Sequence, residues 1–524
     1  MKARCINRIL IKAALRRTLV SVWLLSGMTL LHPARAAPIP DDLKPLHVLN
    51  RLAYGPGPGD VEKVRAMGVE KYIEDQLTPQ SIPEPESLRR ELDSLETLRM
   101  DPVELFREYG PPRPGRGRKP DPEAIKAARE RARVIMQQAV EARLWRATQS
   151  PRQLQELMTD FWYNHFNVFA GKGLDHLWAG AYEEQAIRPY ALGRFRDLLG
   201  ATAHHPAMLF YLDNWQNTAP DSPGARGKLN GLNENYAREL MELHTLGVDG
   251  GYTQQDVIAL ARIFTGWGLG RPRGKDNRGG FYFDPKRHDY SDKIFLGQTI
   301  RGSGEDEGEQ ALDILAHSPA TARHIGYELA QYFVADDPPP ALVQRLSQRF
   351  LDTDGDIRAV LDTLLHSPEF WDRKYYGNKF KTPYQYLVSA VRASGVDLVN
   401  IRPLYGMLFQ LGMPLYACLT PDGYKNTSAA WLNPDAMTRR ISFATALASG
   451  RLPLAQPAEN NVGPARKMDR EERGPVRRVE PVDDARLTDT LGNALSAPTR
   501  AAIKETPPPL RAALILGSPE FMQH

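Results

Sequence analysis

Three glutamates, an arginine and a histidine fall within the run 233–247, spaced as a helix would space them. Glu234, Arg238 and Glu242 recur every four residues and share one stripe, while Asn235 and Glu239 share the next. Ala237, Leu240, Met241 and His244 follow helical spacing on an apolar face, and Gly247 closes the run. Charges set beside so much apolar sequence must be paired, metal-bound or at work, because desolvating them alone costs too much. An i, i+4 salt-bridge ladder with a core histidine would account for Glu234, Arg238 and Glu242 without any chemistry.

Chemistry needs partners from elsewhere in the chain. His165 lies on the apolar stripe of Leu154, Leu157, Met158, Phe161 and Trp162, where a lone histidine is usually a satisfied core residue. If His165, His244, His288 and Asp289 converge with Glu239, they form a nitrogen-and-carboxylate set suited to zinc, manganese or non-haem iron. The run itself holds no His-Glu-x-x-His pair, since Glu242 and His244 are two apart and point differently.

Without a metal, Glu239 and Asp213 can act as paired carboxylates, one protonated and one ionised, with Arg238 and Glu242 beside them. That is the arrangement polysaccharide cleavage requires. Trp162, Trp215 and Trp267 would then supply sugar-stacking faces, though tryptophans in helices are more often core. Asn164, Asn214 and Asn235 would supply polar contacts to substrate. No Gly-x-Ser-x-Gly elbow, P-loop or dinucleotide fingerprint occurs, which sets aside serine hydrolase, NTPase and Rossmann chemistry. The absence of Cys-x-x-Cys-His excludes covalent c-type haem, and a histidine-ligated b-type haem stays open.

The elements that must position these residues read as helices. A capping side chain precedes proline at Asp101-Pro102, Asp121-Pro122, Ser150-Pro151, Ser318-Pro319, Ser367-Pro368, Asn433-Pro434 and Ser518-Pro519. Each cap oxygen satisfies an orphan amide at a point where proline sacrifices no hydrogen bond. Thr253 with Asp256 reads as a capping box for an amphipathic helix through Val257, Leu260, Ala261 and Phe264. The expected class is all-α, with at most a small β-ribbon near 281–300 in which Phe281-Tyr282-Phe283 pairs with Ile294-Phe295-Leu296.

The chain has 524 residues, 42% hydrophobic and 25% charged, and a net charge of +4, ordinary for globular material and without the basic excess of a nucleic-acid binder. Residues 1–36 read as a signal peptide: a basic stretch, the apolar run Leu19–Leu31, and Ala34-Arg35-Ala36 as a cleavage site. Export follows, to the periplasm or beyond, by the general secretory route or, through Arg16-Arg17, by the twin-arginine route. No later stretch is long and apolar enough to span a membrane. Cys5 leaves with the signal, so Cys418 has no intrachain disulfide partner.

Beyond the signal, 37–149 reads as an N-terminal helical region with a basic Pro/Gly/Arg loop at 111–122. Residues 150–454 read as the main helical body holding the polar centre, 455–483 as a flexible linker, and 484–524 as a helical segment docking back on the body. The Ser-Pro-Glu-Phe echo at 367–370 and 518–521 supports a folded C-terminal segment but not a solenoid.

Several motifs resemble the bacterial family catalogued as domain of unknown function 1800. They are Leu49-Asn50-Arg51-Leu52-Ala53-Tyr54-Gly55-Pro56, Phe161-Trp162-Tyr163-Asn164-His165-Phe166, Tyr211-Leu212-Asp213-Asn214, the 233–247 run, Gly266-Trp267, His288-Asp289 and the Ser-Pro-Glu-Phe ending. The insertions at 111–122 and 455–483 depart from the family pattern. The resemblance implies an exported bacterial protein, often encoded beside a sulfatase-like family, and brings no reaction or catalytic residue. Two classes of function therefore stand at this stage. One is an exported enzyme with a buried Glu/His/Asp centre, hydrolytic on an envelope or extracellular polymer, or a metal- or haem-dependent oxidoreductase. The other is a non-catalytic assembly factor working with a sulfatase-like partner.

Overall fold

The computed structural model describes residues 37–112, 121–227, 229–270, 279–457 and 480–524. The expected signal peptide, most of the basic loop at 111–122 and most of the linker at 455–483 lie outside the described residues.

Cap chemistry decides where helices begin. Asp101, Asp121, Ser318, Asn433 and Ser518 each accept a backbone N–H ahead of a proline, opening Pro102–Tyr109, Pro122–Gln149, Pro319–Phe333, Pro434–Ala448 and Pro519–Met522. Thr253 and Asp256 complete their capping box ahead of Gln254–Ile263. Two expected starts differ. Ser150 accepts from Arg152 N–H at 3.1 Å, but Arg152 leaves helical geometry and the helix begins at Gln153. Ser367 accepts from Phe370 N–H, but only a turn follows: Asp372 bridges Pro38 and then caps the short 3-10 turn Arg373–Tyr375, so no α-helix forms there.

Beyond helices and turns, the named strands of the described chain form two short antiparallel hairpins. Phe281–Phe283 pairs with Trp267–Leu269, and Lys293–Phe295 pairs with Gln298–Ile300. The ribbon exists, but the expected pairing of 281–283 with 294–296 does not occur. Leu296 and Gly297 both adopt positive φ, 48° and 76°, making a two-residue turn whose twist folds 293–295 onto its nearest neighbour.

The Gln153–His165 helix lies in the middle of the core, buried on nearly every face. Its apolar stripe packs Leu154, Leu157, Met158, Phe161 and Trp162 into one continuous cluster that runs from Leu46 to Met522. The same helix carries Glu156 and Asp160 inside, which needs partners. Arg143, from the long Pro122–Gln149 helix, bonds Asp160 and reaches Glu183 at 2.9 Å. Arg188 holds Glu156 at 2.7 Å and Glu183 at 3.3 Å. A π-helical turn at Glu183–Ile187 presents Glu183 to both arginines.

The last residues return to this body. Gln523 bridges Phe380, and the Tyr386 hydroxyl lies 3.1 Å from the carbonyls of both Arg440 and Leu516. No helix among the described residues is long and apolar enough to cross a membrane.

Candidate functional site

Three segments meet at the C-terminal end of the Gln153–His165 helix. That helix delivers His165 as its last residue, the turn after Asn235–Glu242 delivers Leu243 and His244, and the Pro319–Phe333 helix delivers His324 and Glu328. The last two are four residues apart, so they share one helical face.

His165 Nδ1 lies 2.6 Å from Glu328 Oε2, and its Nε2 donates to the His244 carbonyl at 3.1 Å. Both partners accept, so the ring satisfies both only by donating from both nitrogens, or by giving Nδ1 to a cation shared with the carboxylate. His324 Nε2 stands 3.1 Å from the Leu243 carbonyl and 3.7 Å from Glu328 Oε1. Burial pushes the Glu328 carboxyl up, but the adjacent His165, His324 and His244 outweigh it and hold it below the usual carboxylate range.

His244 completes the group. Burial, then the neighbouring His165, pushes its imidazole down to about 3, so the ring stays neutral. Its ring centroid is 5.9 Å from that of His165, and its Nε2 has no hydrogen-bond partner among the described residues.

One ligand atom each from His165, His324 and Glu328 lie within 4.8 Å of one another. Donors about 2.1 Å from a single tetrahedral ion lie about 3.4 Å apart, so a bound ion would draw the set closer together. Two imidazoles and a carboxylate suit zinc, manganese or ferrous iron. The His165 bond to a backbone carbonyl is the outer contact that orients a metal-binding histidine.

The group forms one wall of a cleft of about 200 Å³ whose rim carries Asn164, Glu242, Asp422 and Lys425. Asn164 fixes that rim by pairing with the Tyr424 backbone on both sides, donating at 2.8 Å and accepting at 2.7 Å. The turn there depends on Gly423: its φ is +65°, and a Cβ would come 2.2 Å from the Asn164 carbonyl oxygen. Gly423→Ala is therefore expected to open the rim at a cost of about 1–3 kcal/mol, read as a lower urea midpoint. An unchanged midpoint would mean that the loop relaxes freely.

Two carboxyls, Asp422 in the lining and Glu239 outside it, are displaced in opposite directions. Burial raises the Asp422 carboxyl, but hydrogen bonds from Lys425, 2.6 Å away, and Thr420 bring it below the usual range. The Glu239 carboxyl is raised by burial, then by Glu242, against the pull of Arg238, with a smaller push from Asp422. Neighbouring carboxyls displaced in opposite directions are what general acid–base chemistry uses.

A family model described as "Protein of unknown function (DUF1800)" matches residues 47–523. The chain belongs to the DUF1800 family. No curated protein and no solved structure matches it.

Within this DUF1800 chain the sequence candidates scatter over several places. Of the four named metal ligands, His165 and His244 come together. His288 is enclosed elsewhere, bonded to Glu307 at 2.8 Å, which also binds Lys293 at 2.5 Å, all with no side-chain exposure. Asp289 is held by Arg262 at 2.7 Å; burial raises it, but the Arg262 and Ser291 bonds bring it down to about 2. Both are saturated by those partners, so the four-ligand set does not form.

Asp213 binds Lys172 at 2.8 Å, which takes it out of a pair with Glu239. Arg238 joins Glu234 at 3.0 Å on a half-exposed face, the plain i, i+4 pair. Glu242 accepts from the Tyr252 hydroxyl at 3.3 Å.

Trp162 and Trp267 are wholly buried, so neither presents a face to a sugar. Asn214 is buried too, donating to the Trp267 carbonyl at 3.1 Å, while Asn235 donates to the Leu212 carbonyl at 3.2 Å. Asn164 alone of the proposed substrate contacts lines the cleft, and its side chain serves the loop. His324 and Glu328 were missed by the sequence reading. Their i, i+4 spacing on a capped helix was the available signal.

Proposed function

We propose that this DUF1800 protein is an exported hydrolase of an envelope or extracellular polymer, working through a divalent ion held by His165, His324 and Glu328. The observation that carries the reading is the convergence of two imidazoles and an ionised carboxylate on one wall of a polar cleft, beside a buried imidazole, His244, whose Nε2 has no hydrogen-bond partner among the described residues. Such an ion lowers the pKa of bound water towards about 7. The other roles fall to this chain's own groups. Asp422, in the cleft lining, takes the proton from the attacking water, and Glu239, outside that lining but acted on by Glu242 and Asp422 within it, is the proton source for the leaving group. Burial, then Glu242, raises the Glu239 carboxyl, and Asn164 fixes the Asp422 loop. One water is consumed per bond cleaved.

The test is elemental analysis after equilibration with zinc, manganese or ferrous iron and removal of free metal. Wild type should retain one equivalent, and His324→Ala and Glu328→Gln should bind more than roughly tenfold more weakly. Bound ion should raise the melting temperature of wild type and leave that of Glu328→Gln unmoved. Retention of no ion by wild type would overturn the reading. Glu239→Gln should cost roughly 100-fold or more in kcat with little change in melting temperature, because the carboxyl is half-exposed. A lowered melting temperature with kcat unchanged would make Glu239 a structural residue.

A further inference from the structure

A second, larger groove, about 620 Å³, runs between the Pro319–Phe333 and Pro340–Asp352 helices. Val248 and His324 line both this groove and the cleft, so the two adjoin at a proposed metal ligand. Its volume lies within the range of about 300–1,000 Å³ found for ligand sites.

Its lining selects among polymers. Val248 is 69% exposed, and Tyr327 and Leu351 are 38% exposed, a large apolar exposure for positions beside a polar centre. Pro319, Pro338 and Pro340 extend the apolar surface. Gln344 and Gln348 add amide groups that both donate and accept, matching the N–H and C=O of a peptide bond. Glycan grooves instead use flat aromatic platforms. Tyr327 is the groove's one aromatic lining residue other than His324, and none of the described tryptophans is exposed. Arg323 is opposed by Asp249 and Asp337, so no positive field is offered to a polyanion.

We infer that this groove binds an extended polypeptide bearing apolar side chains and feeds it to the cleft, which makes the substrate of the proposed hydrolase a protein or peptide. The inference rests on that reading for its chemistry but not for its binding. Water adds to the amide carbonyl carbon, the C–N bond breaks, the water oxygen stays in the new carboxyl group and a proton passes to the amine nitrogen.

Binding and cleavage are measured separately. A dye-labelled decapeptide of Pro, Val, Leu and Tyr, followed by fluorescence polarisation, should bind wild type. The double variant Tyr327→Ser/Leu351→Asp should bind it at least tenfold more weakly with metal content unchanged. Dye-quenched unfolded casein should be cleaved by metal-loaded wild type, with KM raised and kcat retained in the double variant. Peptide binding by a protein that retains no metal would sink the metal reading alone and still support the groove. Absent peptide binding, binding indifferent to the double variant, or cleavage of peptidoglycan glycan strands or soluble polysaccharide with casein untouched would each overturn the inference.

Discussion

Arg143→Ala should cost about 3–5 kcal/mol of stability, the loss expected when one member of a buried ion network is removed. Its side chain is 7% exposed, and the two carboxylates it holds, on Asp160 and Glu183, are 10% and 2% exposed. Removing the guanidinium strands Asp160 where water cannot replace it and leaves Glu183 with only Arg188 at 3.3 Å and the Tyr416 hydroxyl at 3.0 Å. The rings of Tyr163, Tyr384 and Tyr416 stand 5.1–5.5 Å from the guanidinium carbon and lose a cationic partner as well. Burial already raises the Asp160 carboxyl against the pull of Arg143, so without the arginine it should rise further. The measurement is urea unfolding followed by far-ultraviolet circular dichroism.

The neutral triple variant Arg143→Met/Asp160→Asn/Glu183→Gln distinguishes lost attraction from stranded charge. It should recover much of the loss, because well-packed neutral groups avoid the desolvation that the ions suffer. Arg143→Ala within about 1 kcal/mol of wild type would mean that water reaches the network. A triple variant as unstable as Arg143→Ala would mean that shape, not charge, is what Arg143 supplies.

That network also marks where sequence reading stops. Local rules worked where the cause is local: Asp101, Asp121, Ser318, Asn433 and Ser518 open helices because cap oxygen and proline act within one turn. Ser367 has the same local chemistry, but its helix is cancelled by a bridge between Asp372 and Pro38, far away in the chain. The hairpins show the same limit. Residue types marked 281–300 as β, whereas the partner of each strand depended on Leu296 accepting positive φ.

The candidate site divides along the same line. His165 and His244 stood out by type, because imidazoles on apolar stripes are conspicuous. Their association with Glu328 is a contact across 163 residues of sequence, which no periodicity encodes. Arg143, Asp160 and Glu183 were invisible for a further reason. Charged residues on helices usually face water, and only packing shows that these three do not. His288 and Asp289 looked like ligands for want of knowing that Glu307 and Arg262 already occupy them.

Asp175→Asn should stabilise the protein, and increasingly so as the pH rises. The Asp175 side chain is wholly buried, and neither carboxyl oxygen has a hydrogen-bond partner among the described residues. Burial pushes its carboxyl up to about 9, against the weaker pull of Lys172 and with a further push from Asp213. Lys172 does not rescue it because that ammonium is committed to Asp213 at 2.8 Å. The folded value lies above the unfolded one, near 3.8, so between those limits the native state holds a proton that the unfolded chain has released. Stability is complete below the lower value and falls by about 1.4 kcal/mol per pH unit towards the upper one. At pH 7 the penalty is on the order of 4 kcal/mol.

Asparagine has the same shape and the same unmade hydrogen bonds but no proton to hold, so the variant should lack that slope. Other groups titrate in this window with the opposite sign. Burial pushes Lys381 down to about 7, a contribution that grows as pH rises, and His47 and His205, each pushed down to about 3 by burial, weaken the fold below pH 6.5. All of these cancel when the variant is subtracted from wild type at each pH. The remaining difference should be near zero at pH 4 and widen steadily to pH 8, as read from urea midpoints. A flat difference would mean that Asp175 ionises in the folded state. Asp213→Asn provides the second arm: it frees Lys172 for Asp175, lowers the carboxyl, and should narrow the window from its upper end. A proton kept in a dry interior is what a general acid needs, but Asp175 is wholly buried and answers only to Lys172 and Asp213, neither of which lines the cleft, so this proton belongs to the fold and not to the reaction.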